Sequence, residues 1–167
     1  MFVLTVVLTG SACEPKWATF TSDQDKFSAE FPGPVEVSTK SDETGLGAMH
    51  SRAYRVTHDW GDYGVFVADW GMLPDINRFD PEALAVESFK NELLGDLGVR
   101  NPEVTDHTLV KAWGQPVSQL EIKHDKGVVA IRTFTLDRVV YVVGLEIADH
   151  KKFPQLRDRF FTSFTPN

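Results

Sequence analysis

The chain has 167 residues, of which 42% are hydrophobic and 25% are charged, and these values are those of one ordinary globular domain. Collagen-like, disordered and multi-pass membrane proteins are therefore excluded. Lysine and arginine number 17 against 24 aspartates and glutamates, and the net charge of −7 argues against nucleic acid as a partner, because nucleic-acid binding needs a basic surface.

The first twelve residues carry no charged side chain, and residues 2–8 form an apolar run. This run is shorter than the roughly 20 residues that cross a bilayer, but it matches the apolar core of a signal peptide, about 7–15 residues. Small residues follow at positions 10–12, directly before Cys13, which is the single cysteine of the sequence. One cysteine permits neither an internal disulfide nor a cysteine-based zinc site.

The segment Thr9–Cys13 resembles the lipobox of a bacterial lipoprotein signal. The resemblance implies that residues 1–12 are removed, that Cys13 is acylated, and that residues 13–16 tether a single domain over residues 17–167. Glu14 after the cysteine resembles lipoproteins that face the periplasm and, in a Gram-negative host, reach the outer membrane. Two alternatives remain open: a plain secretory signal with a soluble periplasmic or secreted product, and a first β-strand with a buried cysteine.

Strand patterns dominate the first half of the mature chain, because apolar residues alternate with polar ones or are β-branched and aromatic. The predicted strands are residues 17–21, 26–31, 35–37, 50–57 and 63–70. We expect a polar loop over residues 38–47 and a hairpin turn at residues 59–62.

The clearest predicted helix begins at Asp80, a good N-cap, followed by Pro81, a good first helical residue. Gly98 is a natural stop. Between them, apolar residues recur at helical spacing on one face, at Val86, Phe89, Leu93 and Leu97. A second helix is predicted from about Asp149 to Phe161, with Phe153, Leu156 and Phe160 facing inward.

Four further strands are predicted between the two helices, at residues 103–111, 117–123, 128–136 and 139–146. Their connections are short, which predicts antiparallel neighbours. Strands, a helix, four strands and a second helix, in this order, are typical of an α+β fold. We therefore expect an antiparallel β-sheet of about six to eight strands, packed by two helices.

Several short sequence segments are similar to those of small bacterial envelope proteins and lipoproteins. They are FSAEFPGP at 27–34, YGV at 63–65, RTF at 132–134, VYVV at 140–143 and FFTSF at 160–164. The element order resembles the PsbP/Mog-type α/β/α sandwich over most of residues 17–165. PsbP proteins are accessory subunits on the lumenal side of photosystem II, and Mog proteins bind a small GTPase. The resemblance thus implies a fold and a binding role, and it supplies no catalytic residue.

The sequence lacks the common motifs of catalysis and of nucleotide or metal binding. The chain contains no G-x-S-x-G, no H-E-x-x-H, no P-loop and no G-x-G-x-x-G. No two of its five histidines have the helical spacing of metal ligands. We therefore predict no catalytic residue, no metal site and no cofactor, and a chain that is not an enzyme.

Two features are candidate binding surfaces. Residues 58–107 contain eleven acids and three bases, whereas the rest contains thirteen acids and fourteen bases, so the net negative charge is concentrated there. This is either a solvated helix face or an acidic patch for a basic partner, formed by Asp80, Glu82, Glu87, Glu92 and Asp96. Aromatic residues near predicted strand ends supply either core or binding surface: Trp60, Tyr63, Trp70 and Trp113.

These observations favour a non-enzymatic, lipid-anchored protein of the bacterial cell envelope. It would hold the membrane through acylated Cys13 and act as an accessory module that binds another envelope protein. The alternative is an envelope carrier of a small apolar or aromatic ligand, with a pocket between helix and sheet lined by Trp60, Trp70 or Trp113. An enzyme without a recognisable motif ranks third.

Overall fold

The computed structural model describes residues 16–44, 47–69 and 103–167, which form ten strands and one helix. The strands of the first half are β1 (Ala18–Ser22), β2 (Phe27–Phe31), β3 (Glu36–Thr44), β4 (Gly47–His58) and β5 (Gly61–Asp69). The second half has β6 (Glu103–Ala112), β7 (Gln115–His124), β8 (Gly127–Leu136), β9 (Val139–Ile147), α1 (Phe153–Ser163) and β10 (Thr165–Pro166).

The described strands form two antiparallel sheets. The large sheet has seven strands in the order β3-β4-β5-β9-β8-β7-β6, and the small sheet has three in the order β1-β2-β10. The four strands predicted for the second half pair as a meander, as their short connections require. The described residues contain ten strands in two sheets, whereas we expected one sheet of about six to eight strands.

One aromatic core joins the two sheets and the helix. Phe27, Ala29 and Phe31 alternate inward from β2 and are fully buried, as their spacing predicts. Phe164, just after α1, stacks on Phe27 with ring centroids 5.5 Å apart and meets Tyr141 of the large sheet edge-on. The small sheet and α1 therefore cover one face of the large sheet.

The predicted polar loop at residues 38–47 is wrong. Glu36–Thr44 is an edge strand that pairs with β4, with Glu36 opposite Arg55 and Thr44 opposite Gly47. The strand's side chains at residues 36–41 are exposed. An exposed edge strand needs no apolar alternation, because pairing with its neighbour holds it in place, so the hydrophobic pattern gives no signal there.

The second predicted helix is confirmed with later bounds. α1 begins after Lys152, has Pro154 in its first turn, and buries Phe153, Phe160 and Phe161. The helix predicted from Asp80 lies outside the described residues and stays a prediction. Of the two helices expected, the described ranges thus contain one. It has eleven residues, and no described helix is both long and apolar enough to cross a membrane.

Candidate functional site

The structure separates the aromatic residues that the sequence placed near strand ends. Trp60 lies in the β4–β5 turn, beside the pair Gly61–Ile147 where β9 ends. Trp113 lies in the β6–β7 turn and packs on Phe134, at 4.9 Å between centroids. Because Phe134 pairs near the start of β9, these two tryptophans occupy opposite ends of the large sheet. They form no common surface.

Tyr63 is a core residue. It is 2% exposed and packs edge-on against Trp17 and Phe160, each at 5.4 Å between centroids. Burial raises the pKa of its hydroxyl. Its side chain therefore presents no surface to a partner. The other predicted site residues lie outside the described residues: Cys13, Trp70, Asp80, Glu82, Glu87, Glu92 and Asp96.

A buried imidazole–carboxyl pair lies at the end of the sheet where β9 finishes. His124 Nε2 is 3.3 Å from Glu146 Oε1, and both side chains are buried. The two residues lie on β7 and β9, on either side of β8, where Gly127 pairs with His124 and Val129 pairs with Glu146. A Cβ at Gly127 would lie 2.5 Å from the carbonyl oxygen of Ile147. Only glycine therefore fits at position 127 without a shift of the backbone.

Hydrogen bonding and burial favour neutral partners in this pair. The backbone N–H of Lys126 donates to His124 Nδ1 at 3.2 Å, so the proton of the neutral ring belongs on Nε2, which faces Glu146. Burial lowers the pKa of His124. Burial first, and then the nearby charge of Asp62, raises the pKa of Glu146 to about 7. Glu146 therefore changes charge near neutral pH.

Asp25 centres a second buried polar cluster, between the β1–β2 turn and the large sheet. Its carboxylate accepts two hydrogen bonds from the guanidinium of Arg52, one of them at 2.6 Å from Nε, and a third from Tyr54 at 2.5 Å. Tyr141 donates to its backbone oxygen at 2.9 Å, and the Oγ of Ser22 accepts from its backbone N–H at 3.1 Å. These bonds fasten the small sheet to the large one.

Neither polar cluster contains a group of side chains that could hold a metal ion. Within the described ranges, no three histidine, cysteine, aspartate or glutamate side chains come together as a group that could hold a metal ion. A cavity of about 260 Å³ lies beside β3 and β4, lined by Ser38, Thr39, Lys40, Ser51, Ala53 and Phe66. It is below the usual 300–1,000 Å³ of ligand pockets, and Trp60 and Trp113 do not line it.

The free edge of β6 is the apolar surface that the described structure leaves open. Leu109 is 79% exposed and Val104 is 53% exposed. Among the described residues, β6 is the last strand of the large sheet, so no described strand pairs with one side of its backbone. The third large exposed apolar side chain among the described residues, Val37, lies on β3 at the opposite edge. A bulge interrupts β6 between Val104 and Asp106.

No family model and no curated protein matches the sequence. Among solved structures, the chain is similar to cyanobacterial PsbP (CyanoP) from Synechocystis sp. PCC 6803, with a TM-score of 0.61 and 12% identity. The likeness covers 95% of this chain and 96% of that one. The fold is PsbP-like. At 12% identity the likeness shows the fold alone. It supports the PsbP-like architecture that the sequence suggested.

Neither polar cluster of this PsbP-like fold was predicted from the sequence. Glu146 had a usable signal, since it is a single acid inside the apolar strand Val139–Ile147, where a charge is costly unless it is partnered. Asp25 had none: it lies in a polar turn, and its partners Arg52 and Tyr54 are distant in sequence. The β6 edge carried a weak signal in the isolated apolar residues Val104 and Leu109.

Proposed function

We propose that this chain is a non-enzymatic accessory protein of the bacterial cell envelope that binds another protein chain along the free edge of β6. The observation that carries this proposal is the exposure of Leu109, at 79%, on β6, which forms one edge of the large sheet in the described part of the chain. An edge strand offers a row of backbone donors and acceptors, and an incoming extended segment satisfies them by adding a strand. Exposed side chains beside that row supply contact area and specificity.

The two edges of the large sheet differ in the apolar surface that they offer. β6 exposes two large apolar side chains, Val104 and Leu109, whereas β3 exposes one, Val37, among polar neighbours. Natural edge strands are often protected by charges at their centre. Lys40 lies near the middle of β3, while the middle of β6 carries His107 and Thr108. We therefore assign the contact to β6.

Site-specific photo-crosslinking in cells tests this assignment. We expect a photoreactive amino acid at Leu109 of the full chain to give a discrete adduct with a protein, because the partner strand passes over this position. The same amino acid at Val37 is the control, since this apolar residue is also exposed, at 53%, on the opposite edge strand β3. Absence of any adduct from Leu109, or equal adducts from both positions, would contradict the proposal.

We propose that the anchor is a lipid on Cys13. What supports this proposal is the likeness of Thr9–Cys13 to a lipobox. Trp17, the first residue of the predicted domain, packs against Tyr63 near the end of β9. A tether of residues 13–16 would hold that end of the sheet close to the membrane surface. Palmitate labelling of the full chain should be lost in Cys13→Ala, because the thiol is the acylated group. Equal labelling of wild type and variant would count against the anchor.

We also propose that a helical layer covers the central strands β8 and β9 on the second face of the large sheet and leaves Leu109, at the edge of that face, open. This layer would complete an α/β/α sandwich. Ile131, Val140 and Val142 are at most 1% exposed, yet none belongs to the aromatic core cluster. In the sheet order, β6 lies four places from β5 and runs parallel to it. Residues 70–102 connect these two strands. Such a connection crosses one face of a sheet, and the small sheet and α1 cover the other.

The alternative function, an envelope carrier of a small ligand, has less support. The cavity of about 260 Å³ is lined chiefly by Ser38, Thr39, Lys40 and Ser51, with Ala53 and Phe66 as its apolar residues. Such a lining suits a small polar molecule better than the apolar or aromatic ligand expected from the tryptophans. An interaction module therefore remains the conclusion.

A further inference from the structure

Arg132 is a half-buried cation in the middle of β8, held by neutral partners. Its guanidinium carbon lies 4.4 Å from the ring centroid of Phe161 and 5.8 Å from that of Trp113. Its Nε donates to the side-chain oxygen of Gln119 at 2.9 Å, directly across the β7–β8 pair. Within the described ranges, its terminal nitrogens Nη1 and Nη2 have no hydrogen-bond acceptor, and neither is buried. A molecule from solution can therefore reach them.

Arg159 shows which partner completes such a cation. Its guanidinium also lies over an indole, that of Trp17, at 4.5 Å from the ring centroid. Its Nε also donates to a side-chain oxygen at 2.9 Å, but this oxygen belongs to the carboxylate of Glu30. At Arg132 the amide of Gln119 takes the place of that acid. A charge that is partly removed from water needs a counter-charge more than an exposed one does.

The charges around Arg132 do not balance its own. Burial, and then the like charge of Arg157, lowers the pKa of Arg132, whereas Asp158 raises it by less. Arg157 itself pairs with both Glu121 and Asp158, so these two acids are already engaged. One positive charge in this site is thus left without a bonded carboxylate among the described residues.

We propose that Arg132 binds the carboxylate group of a small organic acid through Nη1 and Nη2. The planar fork of a guanidinium matches the two oxygens of a carboxylate. The bond from Nε to Gln119 and the stacking on Phe161 fix the plane of the fork before the ligand arrives. A carboxylate carries the single charge that the site lacks, whereas Glu121 and Asp158 would repel a doubly charged phosphate.

This site is separate from the contact proposed along β6. Arg132 pairs with Gln119, and Gln119 pairs with Thr108, so these three side chains share one face of the sheet. Leu109, the residue after Thr108, lies on the opposite face. A partner held over Leu109 therefore does not cover Arg132, which favours a free acid over an acidic side chain of that partner.

Acetate is the probe, titrated into the full chain in exchange for chloride at constant ionic strength. The NMR signals of the Arg132 Nε–H and of the Trp113 indole N–H, which lies beside the guanidinium, should shift and saturate. Gln119→Glu should weaken acetate binding by about tenfold, because it supplies a carboxylate from within the chain. Arg159→Gln is the matched control and should leave the affinity unchanged, since Arg159 is already paired with Glu30.

Each outcome decides the proposal. Wild-type signals that do not saturate, or equal acetate affinity in Gln119→Glu, would overturn it. Tighter binding of inorganic phosphate than of acetate would overturn the choice of a carboxylate. The adduct yield from a photoreactive group at Leu109 should be the same in Gln119→Glu as in the wild type, and a lower yield would assign the carboxylate to the partner protein instead of a free acid. Circular dichroism of each variant shows that the fold is retained.

Discussion

Asp25→Ala should lower the free energy of unfolding by about 3 kcal/mol, because it removes one partner of a buried ion pair. Asp25 is 5% exposed. The change leaves the guanidinium of Arg52 and the hydroxyl of Tyr54 without the carboxylate that accepts from them. It also removes the carboxylate that raises the pKa of Arg52. The Arg52 side chain keeps 18% of its surface exposed, which places the loss at the lower end of the range for such pairs.

A matched change at an exposed pair supplies the control. Glu30 accepts from Arg159 Nε at 2.9 Å, but their side chains are 37% and 49% exposed. Exposed pairs contribute about 0–1 kcal/mol, so Glu30→Ala should cost less than about 1 kcal/mol. Both variants are carboxylate-to-alanine changes, measured by urea unfolding. Similar losses in the two would show that Asp25 does not fasten the small sheet to the large one.

The sequence predicted those elements whose side chains alternate against a core. Phe27, Ala29 and Phe31 defined β2, and Phe153 and Phe160 placed α1 on the core. Burial imposes such patterns because one face of each element must be apolar. The short turns of the second half also predicted the antiparallel meander, since short links leave strands no other neighbour.

What the sequence could not predict depends on contacts between distant segments. The split into two sheets arises because β2 pairs with β1 and with β10, where Thr165 lies opposite Ser28, and with no described strand of the large sheet. The Asp25 cluster joins residues of the β1–β2 turn to β4 and β9. Neither contact leaves a local pattern of spacing. The β6 edge was predicted as a strand, but its place at the end of the sheet follows from topology alone.

Glu146 should stabilise the fold at low pH, and this contribution should be lost as the pH rises from about 4.5 through about 7, because the unfolded chain ionises the group at the lower pH and the folded chain at the higher one. In the fold, burial and then Asp62 raise the pKa of Glu146 from 4.5 to about 7. A group whose pKa is raised on folding stabilises the fold below its unfolded pKa, and that contribution is lost as the pH passes through the folded value. The shift corresponds to about 3 kcal/mol.

His124 contributes with the opposite sign. Burial lowers its pKa from the ordinary 6.5, so the unfolded chain binds a proton there before the folded one does, and acidification below about 6.5 destabilises the fold. The two effects oppose each other below that pH. The gain from protonating Glu146 should therefore be clearest between about pH 8 and 6.5, where His124 is mainly neutral in both states.

Glu146→Gln isolates the two contributions, because glutamine keeps the shape of the side chain and does not titrate. Urea unfolding at a series of pH values should show the wild type losing stability between pH 6.5 and 8, and the variant should show less loss there. As the pH falls below 6.5, the variant should lose stability, because the folded state binds a proton at His124 less readily than the unfolded state.

Asp62→Asn should shift the wild-type window to lower pH, since it removes a charge that raises the pKa of Glu146. If wild type and Glu146→Gln have the same slope above pH 6.5, Glu146 is not the group that titrates. A slope that Asp62→Asn leaves in place would assign the raised pKa to burial alone.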